Sequence, residues 1–133
     1  MKTLIVEDDF ISRRILNDIL SPYGDCDMAI DGSEAIQACR LAWEDGSPYD
    51  LICMDIMMPK VDGQESLKKI RELEKARGLK NRDEVKVIMI SALDSPKTVF
   101  DSYYRGGATS YIVKPVTRET LLGQLRDFGL LGP

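Results

Sequence analysis

Five short apolar runs, set apart by longer amphipathic stretches, limit what this chain can fold into more than any other feature. The runs are Thr3 to Val6, Asp27 to Ile30, Leu51 to Met54, Lys86 to Ile90 and Tyr111 to Val113. Each has the length of a buried strand, and the segments between them carry helical patterns. Strands alternating with helices lead to an α/β architecture, a doubly wound parallel sheet of five strands with five helices on its two faces. A chain of 133 residues is expected to form one stand-alone domain over residues 1–133.

Helix starts are marked by Asp31-Gly32-Ser33-Glu34 and Asp62-Gly63-Gln64-Glu65, each an acidic cap with a glutamate three residues on. Asp9 reads as the cap of the first helix. Ile11, Ile15 and Ile19 recur every four residues and are expected to form one buried helix face. The stretch from Ile70 to Lys86 holds Arg71, Glu72, Glu74, Lys75, Arg77, Lys80, Arg82, Asp83 and Glu84. It reads as a solvated helix end and loop, with Gly78 as the stop. Phe100, Tyr103 and Tyr104 fall on the fourth helix, too close together to share one side, so at least one is expected to be exposed. The tail from Leu130 to Pro133 can dock or fray.

Composition removes several classes of function. The formal net charge is −4 with 30% charged residues, which opposes binding to nucleic acid or to an anionic membrane. No secretory signal and no membrane span is evident, so the expected location is cytoplasmic. Cys26, Cys39 and Cys53 lack paired spacing and read as reduced thiols, Cys53 inside a strand. The chain has no histidine, so Ser-His-Asp and Cys-His catalysis and a phosphohistidine-donor role are excluded.

In an open parallel sheet, ligands bind beyond the carboxyl ends of the strands. Glu7, Asp8, Asp55, Ser91 and Lys114 all fall at such ends and converge on one site. Carboxylates packed together repel unless a cation neutralises them, and an all-oxygen donor set suits Mg²⁺. With Mg²⁺ and Lys114 supplying positive charge, Asp55 can act as nucleophile toward an activated phosphoryl group and form an aspartyl phosphate. Ser91 is placed to bond a phosphoryl oxygen, and Ala92 leaves room for the group.

Glu7-Asp8, Asp55 with Met58-Pro59 and Asp62-Gly63, Ser91-Ala92, and Tyr111 with Lys114-Pro115 together resemble the receiver domain of two-component response regulators. The resemblance covers essentially the whole chain. It implies the flavodoxin-like strand order 2-1-3-4-5 and a phosphorylation switch rather than an enzyme, with at most weak self-phosphorylation and self-dephosphorylation. Asp55 would accept a phosphoryl group from a histidine kinase or histidine phosphotransfer protein. Asp8, Asp55 and the Met57 carbonyl would hold Mg²⁺ directly, and Glu7 through water. Ser91 and Tyr111 would act as switch residues, a cis peptide before Pro115 would aim Lys114, and the surface of the fourth helix, fifth strand and fifth helix would contact a downstream protein target. The resemblance leaves open a monomer or a phosphorylation-induced dimer.

Two rival readings share these residues. A Mg²⁺-dependent phosphohydrolase of the haloacid dehalogenase type needs an acid two residues after the nucleophile, where this chain has Met57. A receiver-like module that works by docking alone would typically lack an acid, the lysine or the hydroxyl, and all are present. Met57 and Leu93, apolar at the positions two after Asp55 and two after Ser91, are expected to hinder the attacking water and lengthen the life of the phosphoryl group.

Overall fold

The computed structural model of the chain describes residues 1–58, 60–80 and 83–132. Its elements include β1 (Thr3–Val6), α1 (Phe10–Leu20), a 3-10 turn (Ser21–Tyr23), β2 (Cys26–Ala29), α2 (Gly32–Glu44), β3 (Leu51–Met54), α3 (Gly63–Ala76), β4 (Lys86–Ser91), α4 (Pro96–Tyr104), β5 (Ser110–Val113) and α5 (Arg118–Asp127). The strands form one parallel sheet in the order β2-β1-β3-β4-β5, the doubly wound topology expected. Pro59, which belongs to one of the motifs above, lies outside the described residues, as do Arg82 of the charged run and Pro133 of the tail.

Period-two alternation along the strands splits the core between the faces. Leu4, Val6, Ile52, Met54, Val87 and Met89 pack with α2 and α3 through Ala35, Cys39, Leu67 and Ile70. Ile5, Leu51, Cys53, Ile88, Ile90 and Ile112 pack with α1 and α5 through Leu16, Leu20, Leu121 and Leu125. Full burial of each large aliphatic side chain is worth about 1.5–3 kcal/mol. Leu and Ile on both faces therefore hold the sheet between two helical layers. Helix α4 is packed far more thinly, with Ser102 its one buried residue.

The caps follow the sequence closely. Asp9, Asp31 and Asp62 accept the N–H of Ser12, Glu34 and Glu65, and Glu34 in return accepts the Ile30 N–H at 2.9 Å. That last bond corrects one boundary. Ile30 turns out to solvent and serves the helix start instead of the sheet, so β2 begins and ends one residue earlier than expected. Gly78, with φ +77°, follows the last turn of α3 as its stop.

Two expectations fail. Ile11 and Ile15 are 67% and 44% exposed, and the buried face of α1 is Leu16, Ile19 and Leu20. A repeat of four overshoots the 3.6-residue turn by about 40° per step, so the isoleucines wind around the helix, and only Ile19 reaches the sheet. The charged run is not wholly solvated either. Glu74 is 1% exposed; it accepts Arg71 Nη1 at 2.7 Å and the Val85 N–H at 2.7 Å. Arg71 also donates to the carbonyls of Val85 (2.8 Å) and Gly107 (3.0 Å). This network ties α3 to the approach to β4 and to the α4–β5 loop.

Candidate functional site

The strand order reverses between β1 and β3, and the crevice opens at their carboxyl ends. The backbone ladder runs one residue past each strand there: Glu7 N–H donates to Ala29 O at 3.0 Å, and Asp55 N–H to Val6 O at 3.0 Å. These two bonds seat Glu7 and Asp55 at the lip of the sheet, nearly buried, while Asp8 is exposed. Carboxylate oxygens of Glu7, Asp8 and Asp55 all lie within 4.8 Å of one another.

Lys114 closes the cluster from β5. Its Nζ donates to Glu7 Oε2 at 2.9 Å and to Asp55 Oδ2 at 3.2 Å. The second Asp55 oxygen, Oδ1, accepts the N–H of Ile56 at 2.7 Å and of Met57 at 3.4 Å. Asp55 is therefore held on both sides, by backbone amides and by an ammonium. Burial pushes the Glu7 carboxyl above its ordinary value, partly offset by the Lys114 hydrogen bond, with the Asp55 charge adding to the rise. Burial would lower the Lys114 ammonium, yet its bonds to Glu7 and its attraction to Asp55 win and hold it above the ordinary lysine value.

The loop between β3 and α3 is shaped by Gly63. Its N–H donates to Ile56 O at 2.9 Å, and a side chain there would collide with the Asp55 carbonyl. Asp62-Gly63 thus caps a helix and also lets α3 press against the backbone of Asp55. The Met57 side chain beside this loop is 61% exposed.

Ser91 ends β4 fully buried, its Oγ accepting the Leu93 N–H at 3.3 Å, and its carbonyl accepts the Lys114 N–H at 2.9 Å. The Tyr111 hydroxyl donates to the Leu93 carbonyl at 2.6 Å, and its ring packs toward the core under α2 and α3. Burial lifts this phenol above its usual value, so it remains a donor at neutral pH. The Lys114-Pro115 peptide is cis, as the resemblance implied.

Arg13 was not singled out by its sequence context. Its Nη1 donates to the carbonyls of both Glu7 and Asp8 at 2.9 Å, which pins the backbone carrying the acids. A basic residue four positions after the capping Asp9 is the only signal the sequence offers for it. Gln64 is a second such residue: from the first turn of α3 its amide donates to Thr98 O and Ser102 Oγ on α4, at 3.3 and 3.2 Å.

The donor set fits Mg²⁺. Three carboxylates offer hard oxygens, with no thiol or imidazole among them. Lys114 shares two of these carboxylates and so competes with any bound cation.

The family model for the response regulator receiver domain matches residues 3–126. The chain belongs to this family. The receiver is 36% identical over 126 residues to the chemotaxis protein CheY of Treponema pallidum, covering 93% of this chain and 79% of that protein. It is 31% identical to part of the osmosensing histidine protein kinase SLN1 of Saccharomyces cerevisiae, covering 96% of this chain but only 10% of the kinase. Among solved structures, it is similar to the CheX-CheY complex of Borrelia burgdorferi with beryllofluoride and Mg²⁺, at TM-score 0.81 and 32% identity over 96% of this chain and 87% of that one. It also matches a co-crystal of the Saccharomyces cerevisiae phosphotransfer protein Ypd1 with the receiver domain of Ssk1, at TM-score 0.83 and 27% identity over 98% and 89%. No helix among the described residues of the receiver is long and apolar enough to cross a membrane.

Proposed function

We propose that this receiver is a phosphorylation-activated response regulator in which a carboxylate oxygen of Asp55 takes a phosphoryl group from the phosphohistidine of a histidine kinase or histidine phosphotransfer protein. The observation that carries the reading is the hold on Asp55, whose oxygens meet Lys114 on one side and the amides of Ile56 and Met57 on the other. The phosphorus–nitrogen bond breaks as the oxygen–phosphorus bond forms, and the imidazole leaves to pick up a proton from solvent. Asp55 needs no general base, because a carboxylate oxygen attacks through its own lone pair.

The remaining residues orient and neutralise. Glu7, Asp8, Asp55 and the Met57 carbonyl are the residues that would hold Mg²⁺, which when bound supplies positive charge to the phosphoryl oxygens. Lys114, held by Glu7 and Asp55, supplies a second positive charge, and the Ser91 hydroxyl supplies a hydrogen bond.

A donor histidine must approach Asp55 in line, so the donor protein has to sit around the mouth of the site. Phe10, Ile11 and Ile15 on α1 are exposed beside it. Behind them lies an apolar cleft of about 340 Å³ lined by Ile15, Leu16, Ile90, Pro115 and Val116. An apolar surface ringing an acidic site suits a protein donor, and the similar Ssk1 receiver domain forms a complex with the histidine phosphotransfer protein Ypd1.

The output passes through Ser91 and Tyr111 to α4, β5 and α5. Helix α4 is lightly packed, and Phe100, Tyr103, Tyr104 and Val113 are exposed around it. A small change at Leu93, which Tyr111 holds, can therefore reposition a partner surface at low cost.

The test is phosphorylation by acetyl phosphate with and without Mg²⁺, read as a mobility shift on a phosphate-affinity gel. A Mg²⁺-dependent shift absent from Asp55→Asn is expected. Modification that survives in Asp55→Asn would place the acceptor elsewhere, and none in the native protein together with partner binding indifferent to beryllofluoride would point to the docking module.

A further inference from the structure

At the edge of the sheet opposite the carboxylates, α3 and the α4–β5 loop leave a notch of about 390 Å³. Its floor is Gly106 and Gly107, and a side chain at Gly107 would crowd Arg71. One wall is Lys68, Arg71 and Lys75 of α3; the other is Tyr104 and Arg105 at the end of α4.

The charges in this notch are unequal in kind. Arg71 is spent on Glu74, Val85 and Gly107, and Arg105 pairs with Asp101 at 3.3 Å. Of the two acids at the rim, Glu72 lies 3.8 Å from Lys69 and Glu84 lies 3.8 Å from Arg71. Lys68 and Lys75 have no ion pair among the described residues. The side chains lining the notch include Lys68, Arg71, Lys75 and Arg105 against Glu72 and Glu84, in a chain whose net charge is −4. A cationic face on an acidic protein localises attraction for an acidic partner that the rest of the surface repels.

Geometry adds a second requirement. Lys68 and Lys75 are seven residues apart on one helix, two turns or about 10 Å along its axis. Tyr104, on the second wall, is 76% exposed, and its ring lies 4.6 Å from that of Phe100, also exposed. A helix laid along α3 with carboxylates at i and i+7 would match the two lysines. Its residue at i+3 or i+4 would then face the glycine floor, where an aromatic ring would meet Tyr104.

We infer that this notch docks an acidic amphipathic helix of a partner protein, with two carboxylates two turns apart on Lys68 and Lys75 and an aromatic side chain between them over Gly106 and Gly107. The surface is built by α3 and the α4–β5 loop, and it does not require phosphorylation of Asp55. Docking there would leave the mouth of the phosphorylation site free for the donor.

The experiment uses a synthetic alanine-rich helix carrying glutamates two turns apart with a tryptophan midway, and a control in which lysines replace the glutamates. Binding is followed by fluorescence anisotropy and by amide chemical shifts of the labelled full chain. The acidic peptide should shift Gly106, Gly107 and the α3 amides, and Lys68→Glu with Lys75→Glu should weaken it about tenfold or more. Arg40→Glu on α2 should leave binding unchanged, and the double variant should still be phosphorylated on Asp55 by acetyl phosphate. No shift at millimolar peptide, shifts centred elsewhere, equal binding by the lysine control, or insensitivity to the double change would each overturn the inference. So would equal, equally salt-sensitive binding of a DNA oligonucleotide, which would mark the face as a general anion binder.

Discussion

Lys114 and Glu7 stand 107 positions apart in the chain, yet the lysine ammonium donates to the Glu7 carboxylate at 2.9 Å, a shorter bond than the 3.2 Å one it makes to Asp55. Lys114 thus divides its charge between Asp55, the proposed phosphoryl acceptor, and Glu7.

Replacing Lys114 should therefore separate metal binding from phosphotransfer. Lys114→Gln removes a competing cation, and Mg²⁺ should bind tighter by about 1 kcal/mol, roughly fivefold, after allowance for solvent screening. Phosphorylation of Asp55 should fall at the same time, by roughly a hundredfold. Titration calorimetry and the phosphate-affinity gel measure the two effects. Weaker Mg²⁺ binding in the variant would show that Lys114 orders the site rather than competing for it.

The raised Glu7 value carries a pH dependence of definite sign. Burial favours the protonated form, so the Glu7 contribution to stability is largest below its ordinary 4.5 and is lost as pH rises through the raised folded value. Mg²⁺ needs the ionised form, so its affinity should begin to fall, as pH is lowered from about 7.5 toward about 5, while still above that ordinary value. In Glu7→Gln this part of the fall should vanish. A native profile flat down to the ordinary value would contradict the assignment.

Ile11 and Ile15, exposed on α1, should matter to the donor and not to the chemistry. Ile15→Asp should slow phosphotransfer from a phosphorylated histidine phosphotransfer protein about tenfold or more, with the rate from acetyl phosphate unaltered. Equal slowing with both donors would place the effect in the site or in the fold.

The Arg71–Glu74 network predicts a stability effect far from the site. Glu74→Ala leaves the Val85 N–H without its acceptor and the Arg71 guanidinium without its nearest carboxylate, and should cost about 3 kcal/mol, lowering the melting temperature by roughly 10 °C. Replacing both residues by methionine should cost less than Glu74→Ala, because no buried charge is left alone. Urea unfolding of the three proteins tests the order.

Met57, two residues after Asp55, carries an apolar side chain that is 61% exposed. Met57→Asn should speed loss of the phosphoryl group by roughly tenfold, by offering a polar group to the attacking water. Decay of the phosphorylated protein after donor removal is the measurement, and a rate unchanged or slower would refute the idea.

Strand identity, helix starts and the membership of the acidic cluster were legible in the sequence because they depend on local signals. An apolar run of four residues has few alternatives to a buried strand, and Asp-Gly followed by glutamate is a cap wherever it occurs. Motifs in a fixed order, at strand ends and at the start of α3, then identified the family. Ile11 and Ile15 were misread because a repeat of four does not state which side of α1 meets the sheet. Arg71 and Glu74 were misread because charge alone does not say which of nine charged residues finds a buried partner.

What lay in the chain order, then, was the alternation of elements, their caps and the acids and lysine at the strand ends. What depended on tertiary contact was the pairing of Lys114 with both Glu7 and Asp55, the pinning of the acidic loop by Arg13, the tie from Gln64 to α4, and the notch over Gly106 and Gly107. Local patterns fix backbone conformation through neighbours a few residues away, but side-chain partners are chosen by which surfaces the sheet order brings together. That order was reached through a family resemblance, and the distances and burial that follow from it exist only once the strands are in place.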